Sequence, residues 1–244
     1  MPDNPRPSRK PLIAAILPTY NEELNVAGVL SVLHNTSLLD EIILVDDGSS
    51  DKTVKILKQA AAVDARIQVI QHDHNKGKGQ AIFSGWAATS APIHLLLDAD
   101  LKDLTPDHIH ALLAPVIDHR ADMTIGLFRG GHFGTDLAHW LTPFLTGQRG
   151  LRAELFKNIS HEAANGYGFE IALSVAASQH NYRTRAVILK GVWHPSSEFR
   201  NERGFWGGML WKFRMYAQIL QAWYISSRER YPKAKAFFSD ISKF

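Results

Sequence analysis

The sequence predicts an α/β fold with a mostly parallel central sheet and helices on both of its faces. Three observations carry this expectation. Short apolar runs rich in branched residues recur along the first half of the 244-residue chain, segments of helical periodicity separate them, and capping or proline residues stand where those segments begin.

The runs are LIAAIL (12–17), EIILVD (41–46), IQVIQ (67–71), IHLLLD (93–98) and MTIGLF (123–128). They are continuous instead of alternating, so each is expected to be a parallel strand that is central in the sheet and covered on both faces. Helices are expected over 22–34, 51–63, 79–89 and 107–118. Ser49-Ser50-Asp51 supplies capping side chains for the second of these, and Thr105-Pro106-Asp107 a cap and an early proline for the fourth. After about residue 130 the rhythm becomes less regular.

Composition bounds the function. A hydrophobic fraction of 45% with 21% charged residues fits a folded chain. Cysteine is absent, which excludes disulfides and thiolate metal sites. The opening MPDNPRPSRKP is polar and proline-rich, as expected of a loose tail and not of a secretory signal. The longest uncharged stretch, 79–97, divides into a helix and a strand, so no membrane-spanning helix is expected. The net charge of +3 is uneven, because residues 196–244 hold nine Lys or Arg against four Asp or Glu.

Ligands of an open parallel sheet gather at the carboxyl ends of its strands. Those ends read Pro18-Thr19-Tyr20-Asn21-Glu22, Asp46-Asp47-Gly48-Ser49-Ser50-Asp51, Asn75-Lys76-Gly77-Lys78-Gly79 and Asp98-Ala99-Asp100. Two carboxylates one residue apart call for a hard divalent ion with oxygen ligands, or for a solvated strand end. The glycine- and lysine-rich turn suits phosphate, with backbone N–H groups at Gly77 and Gly79 and a point charge at Lys78. Together they suit a metal-bridged diphosphate. Tyr20 offers an aromatic face to a base, while Glu22 and Asp47 offer acceptors to ribose hydroxyls or base N–H groups. Neither a GxxxxGK[ST] loop nor a GxGxxG turn is present.

LPTYNEELN, VDDGSSD, NKGKGQAI and LLDADL, in this order, resemble family-2 glycosyltransferases of the GT-A fold, a Rossmann-like architecture for nucleotide-diphospho-sugar transfer, and within them the polyprenyl-phosphate mannosyl- and glucosyltransferases. The resemblance implies that Pro18, Tyr20, Glu22, Asp47, Lys78 and Asp98 hold the nucleotide of a UDP- or GDP-sugar, with Asp46 as a further contact. It implies Mg²⁺ or Mn²⁺ on Asp98 and Asp100. It divides the chain into a tail (1–10), a GT-A domain (11–200) with a nucleotide-binding half to about 130 and an acceptor half beyond it, and a basic, aromatic helical extension (201–244).

The second half is similar both to that family's acceptor loop, at Thr146-Gly147-Gln148-Arg149-Gly150-Leu151-Arg152, and to glucosyl- and mannosyl-phosphoglycerate synthases, at Gly166-Tyr167-Gly168-Phe169-Glu170-Ile171 and Val192-Trp193-His194. This implies His194 as a third metal ligand. Gly147, Gln148, Arg149 and Arg129, with Arg152, are the acceptor candidates. Asp100, Lys78 and Glu170 are the catalytic ones, with Glu162 a further carboxylate. A phosphate acceptor needs only positioning by arginines; a hydroxyl needs a base such as Glu170.

Two acceptors stay open, a lipid phosphate such as a polyprenyl phosphate and a small soluble one such as 3-phosphoglycerate. A non-catalytic sugar-nucleotide binding module is the reading of a different class. The aromatic and basic segment 203–225 reads as a helix packed on the domain, as a homodimer contact, or as an interfacial helix on a membrane. No nucleic-acid module accompanies it. The expected location is cytoplasmic, with peripheral contact at the inner face of the membrane under the lipid reading.

Overall fold

The structure, a computed structural model, describes residues 12–130, 146–159 and 168–195. The expected tail, residues 131–145, Glu162, Gly166, Tyr167 and the segment from 196 onward, including the expected extension, lie outside the described residues.

All five apolar runs form strands: β1 (Ile13–Thr19), β2 (Glu41–Asp46), β3 (Ile67–Gln71), β4 (Ile93–Leu96) and β5 (Met123–Arg129). β1 pairs in parallel with β2 and β4, and β2 with β3. Two further strands join them, β6 (Arg149–Arg152) and β7 (Thr184–Lys190), in the order β3-β2-β1-β4-β6-β5-β7. β6 runs antiparallel to both β4 and β5, and β7 is parallel to β5.

Two expectations need correction. Not every run is central and doubly covered, since β3 is an edge strand whose residues are half-buried or exposed. The segment 149–152, expected within an acceptor loop, is a strand as well. Its sequence, Arg-Gly-Leu-Arg, has no apolar run, and its pairing is dictated by the open edges of β4 and β5, whose backbone groups it satisfies.

The helices are α1 (Val26–His34), α2 (Thr53–Val63), α3 (Lys78–Ala87), α4 (Pro106–Ile117) and α5 (Phe169–Gln179). A 3₁₀ helix occupies Ala153–Asn158. α4 starts as its sequence predicts, with Pro106 in the first turn and a reciprocal cap in which the Thr105 side chain accepts from His108 N and the His108 ring accepts from Thr105 N. α2 starts two residues late. Asp51 accepts from Thr53 N at 2.9 Å and from Glu23 N at 3.1 Å, so it also ties the β1 and β2 loops together.

The period of two along the strands sorts the core into two layers. Ile13, Ala15 and Leu17 of β1, with Ile42 and Leu44 of β2, pack with α1, α2 and α4. Ile16, Ile43 and Val45 pack on the other face with α3, the 3₁₀ helix and α5. Each fully buried Leu or Ile contributes about 1.5–3 kcal/mol. The sheet therefore holds its strand ends at fixed relative positions. The connections from β1 lead to β2 on one side while β4 lies on the other, so the strand order reverses between β1 and β4, and a crevice opens at their carboxyl ends. Among the described residues no helix is long and apolar enough to cross a membrane.

His94 on β4 is fully buried against the Phe156 ring, and neither ring nitrogen has a hydrogen-bond partner among the described residues. Burial pushes its imidazole down to about 4, and the nearby Ala91 backbone offsets only part of this. The unfolded chain takes up a proton as pH falls below about 6.5, and the folded chain does so only near the lowered value. The unfolding free energy should therefore fall by about 3 kcal/mol between pH 6.5 and 4 from this group alone. Urea titrations across that range should show a smaller loss in His94→Leu.

Candidate active site

The β1 and β2 loops form one side of the crevice. Asn21, at φ 53°, receives Ser50 N on its side chain at 2.9 Å, and its own N–H donates to Ser49 Oγ at 2.9 Å. Glu22 N donates to Thr53 Oγ1 at 2.8 Å. This stitching leaves Tyr20 46% exposed, as an aromatic platform needs, while Pro18 is half-buried and Glu22 buried with Asn25 Nδ2 on its carboxylate. Asp46 and Asp47 are buried. The Asp46 Oδ2 accepts from Ser49 N, and its Oδ1 has no hydrogen-bond partner among the described residues.

Asp47 is placed differently from the expectation. Its Oδ1 accepts from Lys76 N at 2.9 Å and its Oδ2 from Gly77 N at 2.8 Å, while the His72 ring bonds Oδ1 at 2.7 Å. The carboxylate thus organises the lysine-glycine turn. By the same contact the Gly77 N–H is directed at Asp47 and not at a phosphate.

At the β4 end, residues expected to serve the donor, the chemistry and the acceptor meet. Lys78 Nζ, from the first turn of α3, lies 2.6 Å from Asp98 Oδ1 and 2.6 Å from Glu170 Oε1 in the first turn of α5. Gln148 Nε2 donates to Asp98 Oδ2 at 2.7 Å. Burial works against the lysine charge, but the flanking Asp98 and Glu170 outweigh it and hold the ammonium above its ordinary pKa. Burial likewise works to raise Asp98, and Lys78, Gln148 and His194 together bring it below the usual carboxylate range. About a quarter of each side chain, 28% for Lys78 and 24% for Asp98, remains open, so a ligand can reach the pair. The Glu170 side chain is only 5% exposed.

Asp100 and His194 are half-buried beside this cluster. The Val192-Trp193-His194 segment is fixed by an antiparallel bridge between Lys102 and Trp193 and by Trp193 Nε1 on Asp103 Oδ2 at 2.8 Å. The His194 ring meets Phe128 edge-on at 5.8 Å. Among the described residues no three His, Asp or Glu side chains stand together in metal-binding geometry, so the expected ligands are neighbours and not a gathered set. Their donor chemistry fits a hard divalent ion, since a carboxylate has about four acceptor positions and Asp98 uses two.

Arg149 departs most from expectation. Its side chain is fully buried, donating to Thr146 O at 3.2 Å, Ser174 Oγ at 3.0 Å and Glu170 O at 3.2 Å. Burial pulls its pKa down to about 10, with Glu170 and Asp98 opposing. It braces α5 from beneath and does not face an acceptor. Arg129 is exposed at the end of β5, and Arg152 lies at the opposite end of β6 from the cluster, near Asp122. Sequence reasoning missed His72 and Ser84, whose pairing arises only when β3 and α3 meet.

The model of glycosyl transferase family 2 matches residues 14–180. The chain belongs to this family. Among family members, a UDP-N-acetylglucosamine--dolichyl-phosphate N-acetylglucosaminyltransferase of Methanococcus voltae is 33% identical over 130 residues, 47% of this chain and 51% of its own. A glucosyl-3-phosphoglycerate synthase of Mycobacterium tuberculosis is 32% identical over 109 residues, 43% of this chain and 34% of its own. The chain thus spans about half, or less, of the curated relatives it matches. A crystal structure of the mycobacterial synthase with Mn²⁺, UDP-glucose and phosphoglyceric acid superposes with a TM-score of 0.70 at 23% identity, over 88% of this chain and 79% of that one. It bears out the GT-A architecture.

Gly147, expected on the acceptor side, touches the cluster. A Cβ there would stand 2.5 Å from Asp98 Oδ1 and 2.7 Å from Lys78 Nζ. Gly147→Ala should force the ion pair apart and lower the unfolding free energy by about 1–3 kcal/mol in urea denaturation, the usual cost of overpacking.

Proposed function

We propose that the protein is a metal-dependent glycosyltransferase that moves a hexosyl group from a UDP- or GDP-sugar to a phosphate oxygen of a lipid such as a polyprenyl phosphate. The observation that carries this reading is the Lys78 ammonium held between Asp98 and Glu170, partly open to solvent at the carboxyl edge of β4. There the sheet order reverses. In the transfer, the bond from the anomeric carbon to the diphosphate oxygen breaks and a bond to the acceptor oxygen forms, with the electron pair leaving on the nucleoside diphosphate. Lys78 stands ready to neutralise that charge. Asp98, Asp100 and His194 would hold Mg²⁺ or Mn²⁺, which supplies further charge neutralisation on the diphosphate. Tyr20, Pro18 and Glu22 line the nucleotide side, and Asp47 serves it by holding the turn before Lys78.

The choice of a phosphate acceptor rests on Glu170. Its carboxylate is buried and engaged by Lys78, an arrangement that suits an acceptor already ionised at neutral pH more than a hydroxyl awaiting a base. The dolichyl-phosphate acceptor in the name of the Methanococcus relative agrees with this. The second acceptor, 3-phosphoglycerate, draws on the mycobacterial relative and would require Glu170 to leave Lys78. Arg129, Gly147 and Gln148 remain the acceptor-side residues. A lipid acceptor would bring the chain to the cytoplasmic face of a membrane, through the aromatic and basic segment 203–225 read from the sequence.

Transfer from UDP- and GDP-sugars with Mn²⁺, to undecaprenyl phosphate and to 3-phosphoglycerate, tests the proposal. Product should form with the lipid phosphate, disappear with chelator, and form with kcat/KM lower by about 10²–10³ in Asp100→Ala. Nucleotide binding without turnover in either protein would identify a binding module instead.

A further inference from the structure

Directly after β3, His72 joins three elements through one ring. Its backbone N–H continues the sheet by donating to Asp46 O at 2.8 Å, and its side chain is only 6% exposed. Nδ1 lies 2.7 Å from Asp47 Oδ1, and Nε2 lies 2.9 Å from Ser84 Oγ on α3. A carboxylate only accepts, so Nδ1 carries the hydrogen and donates to Asp47; in the neutral ring, Nε2 then accepts from the Ser84 hydroxyl. The imidazole is thus gripped at both ends, and it fixes which way the Asp47 carboxylate faces.

That orientation decides the course of the next five residues. The turn 73–77 hangs on Asp47 through Lys76 N at 2.9 Å and Gly77 N at 2.8 Å. Beneath it, Gly48 at φ +75° lies so close that a Cβ would stand 2.5 Å from His74 C, so the turn rests on the β2 loop with no room to sink. Gly77, at φ 92°, then opens α3, and Lys78 is the first residue of the helix.

We propose that His72 is a positioning residue for the donor: through Asp47 it fixes the 73–77 turn and the start of α3, and thereby the place where Lys78 meets a diphosphate. The donor part rests on the glycosyltransferase reading above, while the anchoring of the turn does not. The Ser84 contact completes the device by setting the ring's rotation, so that Nδ1 is presented to Asp47 along a buried path.

Two amide replacements separate the two ring contacts. The Asn amide falls near the Nδ1 position and can still donate to Asp47; the Gln amide falls near Nε2, reaches Ser84 and leaves Asp47 unserved. Trypsin cleavage after Lys76 reports the turn, because a protease acts on backbone that has come loose. In His72→Gln, cleavage should quicken about tenfold, and donor KM should rise about ten- to a hundredfold with kcat changed less than about threefold, the scale of one hydrogen bond to a charged partner. His72→Asn should restore both towards wild type, and Ser84→Ala should give a smaller shift in the same direction.

A merely structural role would lower the melting temperature of both His72 variants without splitting KM from kcat. Unchanged cleavage in His72→Gln overturns the anchoring whatever the activity. Faster cleavage with a wild-type KM overturns the donor role alone. A wild-type protein that neither binds UDP or GDP nor transfers sugar removes the glycosyltransferase reading and the KM effect with it, and the cleavage result still decides the anchoring.

Discussion

A single ammonium organises the site. Lys78 belongs to α3, Asp98 to the turn after β4 and Glu170 to α5, three elements that are far apart in the sequence and meet at its Nζ. An isolated charge in so covered a place would cost several kcal/mol, and removing one partner from such a group leaves another unpaired. The ion pairs therefore tie α3 and the turn after β4 to α5 where the crevice lies. Gln148 takes the remaining side of Asp98, and Arg149, one residue on, braces the first turn of α5 from inside. Two cations thus lie near two carboxylates, one in direct ion pairs and one through the field of its buried charge, which lets a crowded polar site persist at the edge of an apolar core.

Much of this was legible in the sequence. β1, β2, β4 and β5 announce themselves because a strand covered on both faces must be largely apolar without interruption, and the polar residues that follow each run then fall on one edge of the sheet. LLDADL and NKGKG could be placed at that edge before any coordinates. Glu170 and Gln148 entered only through a family resemblance, and in separate roles. What neither route gave is their shared contact with Lys78 and Asp98, because a salt bridge between residues 78 and 170 leaves no periodicity behind.

The illegible parts have physical reasons of their own. β6 is four residues long, begins and ends in arginine, and owes its strand geometry to the unpaired edges on either side of it. Arg149 reads as a solvent-facing cation because arginine is almost never fully buried without partners. Its partners include carbonyl and hydroxyl groups of Thr146, Glu170 and Ser174, none of which a sequence marks as a counterpart for a guanidinium. Asp47 misled in the opposite sense. A carboxylate after a strand invites a ligand, yet the nearest N–H groups seeking an acceptor were those of its own chain, two residues of a turn almost thirty positions away.

The turn before α3 and the ion pairs after it act on the same helix end. Asp47 holds the backbone at Lys76 and Gly77, while Asp98 and Glu170 hold the side chain of Lys78, so both the origin and the tip of that lysine are set by carboxylates. A phosphate approaching Lys78 must compete with Asp98 and Glu170 for the ammonium, but it meets no competition for the backbone, which stays clamped. The consequence is a cation whose partners can be exchanged without its base moving. Under the proposed function, such a group would pass from carboxylate to diphosphate during binding at little reorganisation cost, the property that electrostatic stabilisation of a departing nucleotide demands.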